Sequence, residues 1–191
     1  NPFLTATDLD HWADRLVAQG TLPLLVRRLV LATLAPAAID FADGDAVNRR
    51  GYDGFLQTAE AAPLVPAGRS VWEMGTGQDA ARKAGEDYDA RTTSPGPVVP
   101  AETTFVFVTP RRWDGKVAWA AARRGEGVWR DVRTLDGVDL GGKLVRVLGK
   151  RRKERIVPFG RPAWFFPGGG WICPADLIRL WLDHPRIRME Q

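Results

Sequence analysis

The sequence predicts an α/β fold: a mixed sheet flanked by helices, with a basic β-hairpin and a helix appended at the C-terminus. Three observations carry this reading. The first 34 residues hold apolar side chains at helical spacing. Three short β-like segments then follow between residues 38 and 74, separated by Gly- and Pro-containing turns. A helical stretch leads from there to Thr104-Phe105-Val106-Phe107-Val108-Thr109, an apolar run that fits a central strand buried on both faces.

In order, Leu9, Trp12, Leu16 and Val17 predict a helix from Thr7 to Gln19, capped by Thr7 and stopped by Gly20. A second helix is expected with Thr21 as its cap and Pro23 in its first turn, burying Leu22, Leu25, Val26, Leu29 and Val30 and ending at Pro36. Strands are expected over Ala38–Phe41, Phe55–Gln57 and Arg69–Met74, and a helix from Asp79 to about Arg91. The strand at 104–109 comes next, then a short helix within Trp113–Ala122 and a last strand over Val128–Leu135. Consecutive strands followed by a crossover helix give an α/β sandwich with a mixed sheet.

A chain of 191 residues, 45% hydrophobic, can bury one substantial core and leaves little room for two enzyme domains. Its +4 charge is uneven. Between Gly141 and Arg161 eight basic side chains face Glu154 alone, a local +7 that leaves −3 for the rest, and such a patch suits a polyanion. Cys173 is the single cysteine, which excludes an intramolecular disulfide and a Cys-rich zinc site and suggests a reducing cytoplasm. No apolar run reaches the roughly 18 residues of a membrane span, because Arg27-Arg28 interrupts Leu22–Leu34. Neither a secretory signal nor an initiator Met is visible.

The residues best suited to chemistry are Asp53, between Gly51-Tyr52 and Gly54; Glu73, in Val71-Trp72-Glu73-Met74-Gly75; and Lys83, in the following helix. Carboxylates suit Mg²⁺, a hard ion that takes oxygen ligands and keeps several waters. A charge amid an apolar strand is expensive unless it is paired or bound to metal. The plain alternatives are that Asp53 stabilises a turn, that Glu73 pairs with Arg69 or Lys83, and that Lys83 is a solvated helix residue.

The order of elements and these residues resemble the PD-(D/E)xK nuclease superfamily, especially its Mrr-like restriction endonuclease branch, over roughly Leu9–Leu140. The resemblance implies a restriction endonuclease-like sheet and a metal-dependent DNA endonuclease, with Asp53 and Glu73 as Mg²⁺ ligands. Gly75 stands where the family's lysine belongs. Some members supply that lysine from the next helix, which implies Lys83 as the catalytic cation that orients water or stabilises charge. A bacterial antiviral-defence setting, DNA as partner, no membrane, a homodimer and a sensor module outside this chain complete the expectation.

Phosphate contacts are sought at Arg111 and Arg112, beside the strongest strand, with Trp113 as a base-stacking side chain or a core residue. They are also sought in the basic stretch, at Lys150, Arg151, Arg152, Lys153 and Arg155. That stretch, Val145 to Gly160, is similar to the β-hairpin of Xer-type tyrosine recombinases, where the lysine matching Lys150 is a catalytic acid; the likeness covers about Leu135–Ala163. A working recombinase also needs a His-x-x-Arg motif and a C-terminal tyrosine nucleophile. Position three after His11 is Asp14, position three after His184 is Ile187, and Tyr52 and Tyr88 both precede the hairpin. The alternative function is thus a non-catalytic DNA-binding or recombinase-derived fragment. The expected division is a nuclease-like domain at 1–140 and a basic hairpin with a C-terminal helix at 141–191.

Overall fold

The computed structural model describes residues 5–41 and 51–154, with backbone alone for 145 and 147–154. The elements are α1 (Ala6–Ala13), α2 (Leu16–Leu31), β1 (Ala38–Phe41), β2 (Gly54–Thr58), β3 (Gly68–Met74), α3 (Ala80–Thr93), β4 (Thr103–Val108), α4 (Lys116–Gly125), β5 (Asp131–Leu135) and α5 (Gly137–Glu154). The sheet runs β1-β2-β3-β4-β5 in space. β1/β2 and β2/β3 pair antiparallel, while β3/β4 and β4/β5 pair parallel. The mixed sheet flanked by helices is therefore present, and β4 is buried at every position as its uninterrupted apolar run predicts.

Side-chain alternation along the parallel strands builds two cores. Trp72, Met74, Val106 and Val108 meet Leu9, Trp12, Leu22, Leu25, Val26, Leu29, Leu140 and Leu144 on one face. Val71, Phe105, Phe107 and Val132 meet Ala80, Ala84, Tyr88, Trp113 and Trp129 on the other. Helices α1, α2 and α5 thus supply the first face, and α3 supplies the second together with aromatic side chains around α4.

Three expectations change. Thr5, not Thr7, caps α1, in a reciprocal box with Asp8. The first helix ends at Ala13, Gly20 does not stop a helix, and Thr21 and Pro23 lie inside α2. Leu16 and Val17 are consequently exposed. The break has a long-range cause: Arg111 Nη1 donates to the carbonyl of Asp10 at 2.8 Å and Nη2 to Asp14 Oδ1 at 2.6 Å, so a guanidinium from beyond β4 finishes the last turn of α1.

The third change concerns the expected hairpin, because the backbone from Gly137 to Glu154 is one helix. Its start is fixed locally. Asp136 Oδ1 accepts from the Val138 and Asp139 amides, and Asp139 Oδ2 accepts from the Asp136 amide. Leu140 and Leu144, one turn apart, are then buried in the first core. The division at 140–141 runs through this helix. Residues 155–191, with Arg155, Cys173, His184 and the expected C-terminal helix, lie outside the described residues.

Candidate metal centre

Asp53 immediately precedes β2, whose first pair is Gly54 with Trp72 of β3, so its side chain sits at the end of β3 beside Glu73. Asp53 Oδ2 accepts the Met74 amide at 2.7 Å. Gly54 is needed here: a Cβ on it would lie 2.6 Å from Cε1 of Phe41, whose ring crosses the strand at that point. Glu73 projects to the α3 side of the sheet, like Val71, and is 3% exposed. Its Oε1 accepts from Arg91 Nε.

Helix α3 presents Lys83, Asp87 and Arg91 at successive i, i+4 positions, which places them along one face. Lys83 Nζ donates to Asp87 Oδ1 at 2.5 Å, and Oδ2 of Asp87 is buried with no hydrogen-bond partner among the described residues. Arg91 Nη2 donates to the Gly51 carbonyl, and its guanidinium lies 4.8 Å from the Tyr52 ring centre. A Cβ on Gly75 would fall 2.9 Å from Lys83 Cγ and 3.3 Å from Phe107 Cζ. The stem of Lys83 therefore runs through the space that Gly75 leaves open.

These groups are electrostatically strained against one another. Burial pushes Glu73 up to about 8, Arg91 pulls it down, and the neighbouring carboxylates of Asp53 and Asp87 push it up further. Burial also raises Asp53 against the pull of the Met74 amide, and raises Asp87 against the pull of Lys83. Three carboxyl groups and two cations thus meet at the end of β3, and burial holds all three carboxyls above their usual range.

Both plain alternatives for Glu73 give way to a third. Arg69 faces Glu102 at 3.9 Å and Lys83 faces Asp87, while Arg91 holds Glu73. Asp87 and Arg91 were not among the sequence-derived candidates, although their spacing from Lys83 is legible as one helix face. Among the described residues no group of three or more His, Cys, Asp or Glu side chains is placed to hold a metal ion. Asp53 and Glu73 offer oxygen donors alone, the ligand type that a hard ion such as Mg²⁺ takes, with water for the remaining positions.

The expected phosphate contacts fare unequally. Arg111 is 5% exposed; besides its bonds to α1, its Nε donates to the Thr76 carbonyl at 2.9 Å, so every guanidinium nitrogen is committed within the chain. In this geometry it clamps α1 to the loop after β3. Arg112 is exposed, and Trp113 is a core residue in edge contact with Phe107. Lys150, Arg151, Arg152 and Lys153 lie on the backbone of α5, in place of the hairpin expected for them.

Comparison with known proteins yields a partial likeness. Tyrosine recombinase XerC of Mycobacterium tuberculosis (strain ATCC 25177 / H37Ra) and that of Mycobacterium bovis (strain BCG / Pasteur 1173P2) are each 46% identical to this chain over 48 residues, 25% of it. XerC of Mycobacterium leprae (strain TN) is 46% identical over 52 residues, 27% of the chain. The matched segments are 12% and 14% of the recombinases' own length. No family model matches the chain, and no solved structure matches it. Among the described residues, no helix is long and apolar enough to cross a membrane.

Proposed function

We propose that this chain carries a Mg²⁺-dependent DNA endonuclease centre, with Asp53 and Glu73 as metal ligands and Lys83 as the accompanying cation. The observation that carries this reading is the convergence of Asp53, Glu73 and the α3 face at one end of the sheet, with Lys83 packed over Gly75. The order of one helical layer, three strands, a crossover helix and parallel strands agrees with what the PD-(D/E)xK resemblance implies. Bound there, Mg²⁺ would polarise a phosphoryl oxygen and lower the pKa of a water. The chain's own contribution is to aim two carboxylates through a strand end and a strand interior, and to keep the Lys83 ammonium beside them through Asp87. A bacterial defence role, a cytoplasmic setting, a homodimer and an external sensor module are proposals on the same footing.

A second reading has its own support, and the comparisons favour it over the first. The 46% identity to XerC over 48 residues supports the reading of a tyrosine recombinase-derived, DNA-binding fragment. Lys150, Arg151, Arg152 and Lys153 would then contact phosphates in a sequence-independent, salt-sensitive way.

A plasmid-nicking experiment separates the two. On the nuclease reading, supercoiled DNA is nicked with Mg²⁺, is untouched in EDTA, and is untouched by Asp53→Ala. DNA bound equally well in all three conditions but never cut would overturn that reading, and loss of binding on neutralising residues 150–153 would then assign the contact to the basic segment.

A further inference from the structure

Glu73 and Asp53 belong to different strand segments, and one side chain touches the pieces that carry both. Arg91 Nε is bonded to Glu73 Oε1, while Arg91 Nη2 holds the carbonyl of Gly51 and the guanidinium plane covers Tyr52, the residue before Asp53. Lys83 does not share this duty, because its Nζ is bonded to Asp87. A divalent ion coordinated through Oε1 and a guanidinium donating to that same oxygen would bring two like charges together beside a buried carboxyl.

We infer that Arg91 is a positioning residue of the cation site: it stands in for the divalent ion on Glu73 and gives way when the ion binds, so that Arg91 sets the site's affinity. This rests on the metal reading of Asp53 and Glu73 and adds a residue that reading does not contain. A purely structural clamp predicts the opposite sign, since losing it would misplace both carboxylates and weaken cation binding.

The test uses the full chain and Mn²⁺ alone, with free ion counted by electron paramagnetic resonance. Arg91→Gln is expected to bind Mn²⁺ about tenfold more tightly than wild type, a factor of the size typical for coupled binding events, and the gain should vanish in the Arg91→Gln/Glu73→Gln double variant. Equal or weaker binding by a folded Arg91→Gln overturns the inference. A wild-type measurement guards against a variant that fails to fold: saturating Mg²⁺ should shift the Arg91 Nε–H resonance, and an unmoved resonance overturns the inference. Wild-type binding lost in Glu73→Gln but indifferent to Arg91 removes this inference alone, whereas no binding by wild type or Arg91→Gln removes the metal reading with it.

Discussion

At Glu73, burial and neighbouring carboxylates oppose a buried ion pair, and the outcome has a measurable sign. The unfolded chain holds this carboxyl at its ordinary 4.5, whereas the folded protein raises it to about 8. Between those values the folded state binds more protons than the unfolded state, so Glu73 favours folding at low pH and that contribution is lost as pH rises through about 8. Without divalent ions, the urea midpoint of the wild type should fall between about pH 5 and pH 8.5, and that of Glu73→Gln should fall distinctly less. Parallel declines would show that Glu73 is not the source. An acid inside an apolar strand announces itself in sequence, as does a glycine-flanked Asp53, and Gly75 signals a missing side chain that the stem of Lys83 covers. Asp87 and Arg91 are harder to see, because charges at i, i+4 spacing on a helix read equally well as a solvated face. What sets them apart is that the helix turns this face onto the sheet end, a tertiary fact.

At the scale of elements, the strands are readable because the Gly and Pro turns between them and the apolar run of β4 are local signals. Helix ends are less so. The stop of α1 depends on Arg111, 101 residues away from Asp10, and no local pattern around Gly20 or Thr21 competes with a guanidinium that satisfies the Asp10 carbonyl. The start of α5 is fixed by Asp136 and Asp139, yet the basic run beyond it resembles a hairpin and draws the reading away from helix. Lys, Arg and Glu are good helix formers, so the run can extend a helix already nucleated and packed through Leu140 and Leu144. Asp136 is the critical joint: it is 3% exposed, accepts from the Val138, Asp139 and Trp113 amides, and receives Lys116 Nζ at 2.7 Å. Asp136→Ala removes a helix cap and strips a half-buried lysine of one partner, so a loss of about 2–4 kcal/mol is expected in urea unfolding. A loss under about 0.5 kcal/mol would mean that Asp139 carries the joint alone.

For the whole molecule, the question is whether the basic segment is an appendage or part of the fold. An appended hairpin would leave residues 5–140 self-sufficient. The structure instead passes the chain directly from β5 into α5 and buries Leu144, beyond the expected boundary, against the same core as Leu9 and Trp12 of α1. Helix α1 is in turn locked to the loop after β3 by Arg111, so α5, α1 and the end of the sheet beside Glu73 form one mechanical path. A chain ended at Leu140 loses Leu144 and most of the helix that positions Leu140. It is expected to melt at least about 10 °C below a chain ended at Glu154, since removing one buried leucine side chain already costs about 2–5 kcal/mol. Equal melting temperatures would restore the two-part division. A large loss would mean that the helix beyond Leu140 is part of the folded core through Leu144, and that a boundary at 140–141 cuts a single unit.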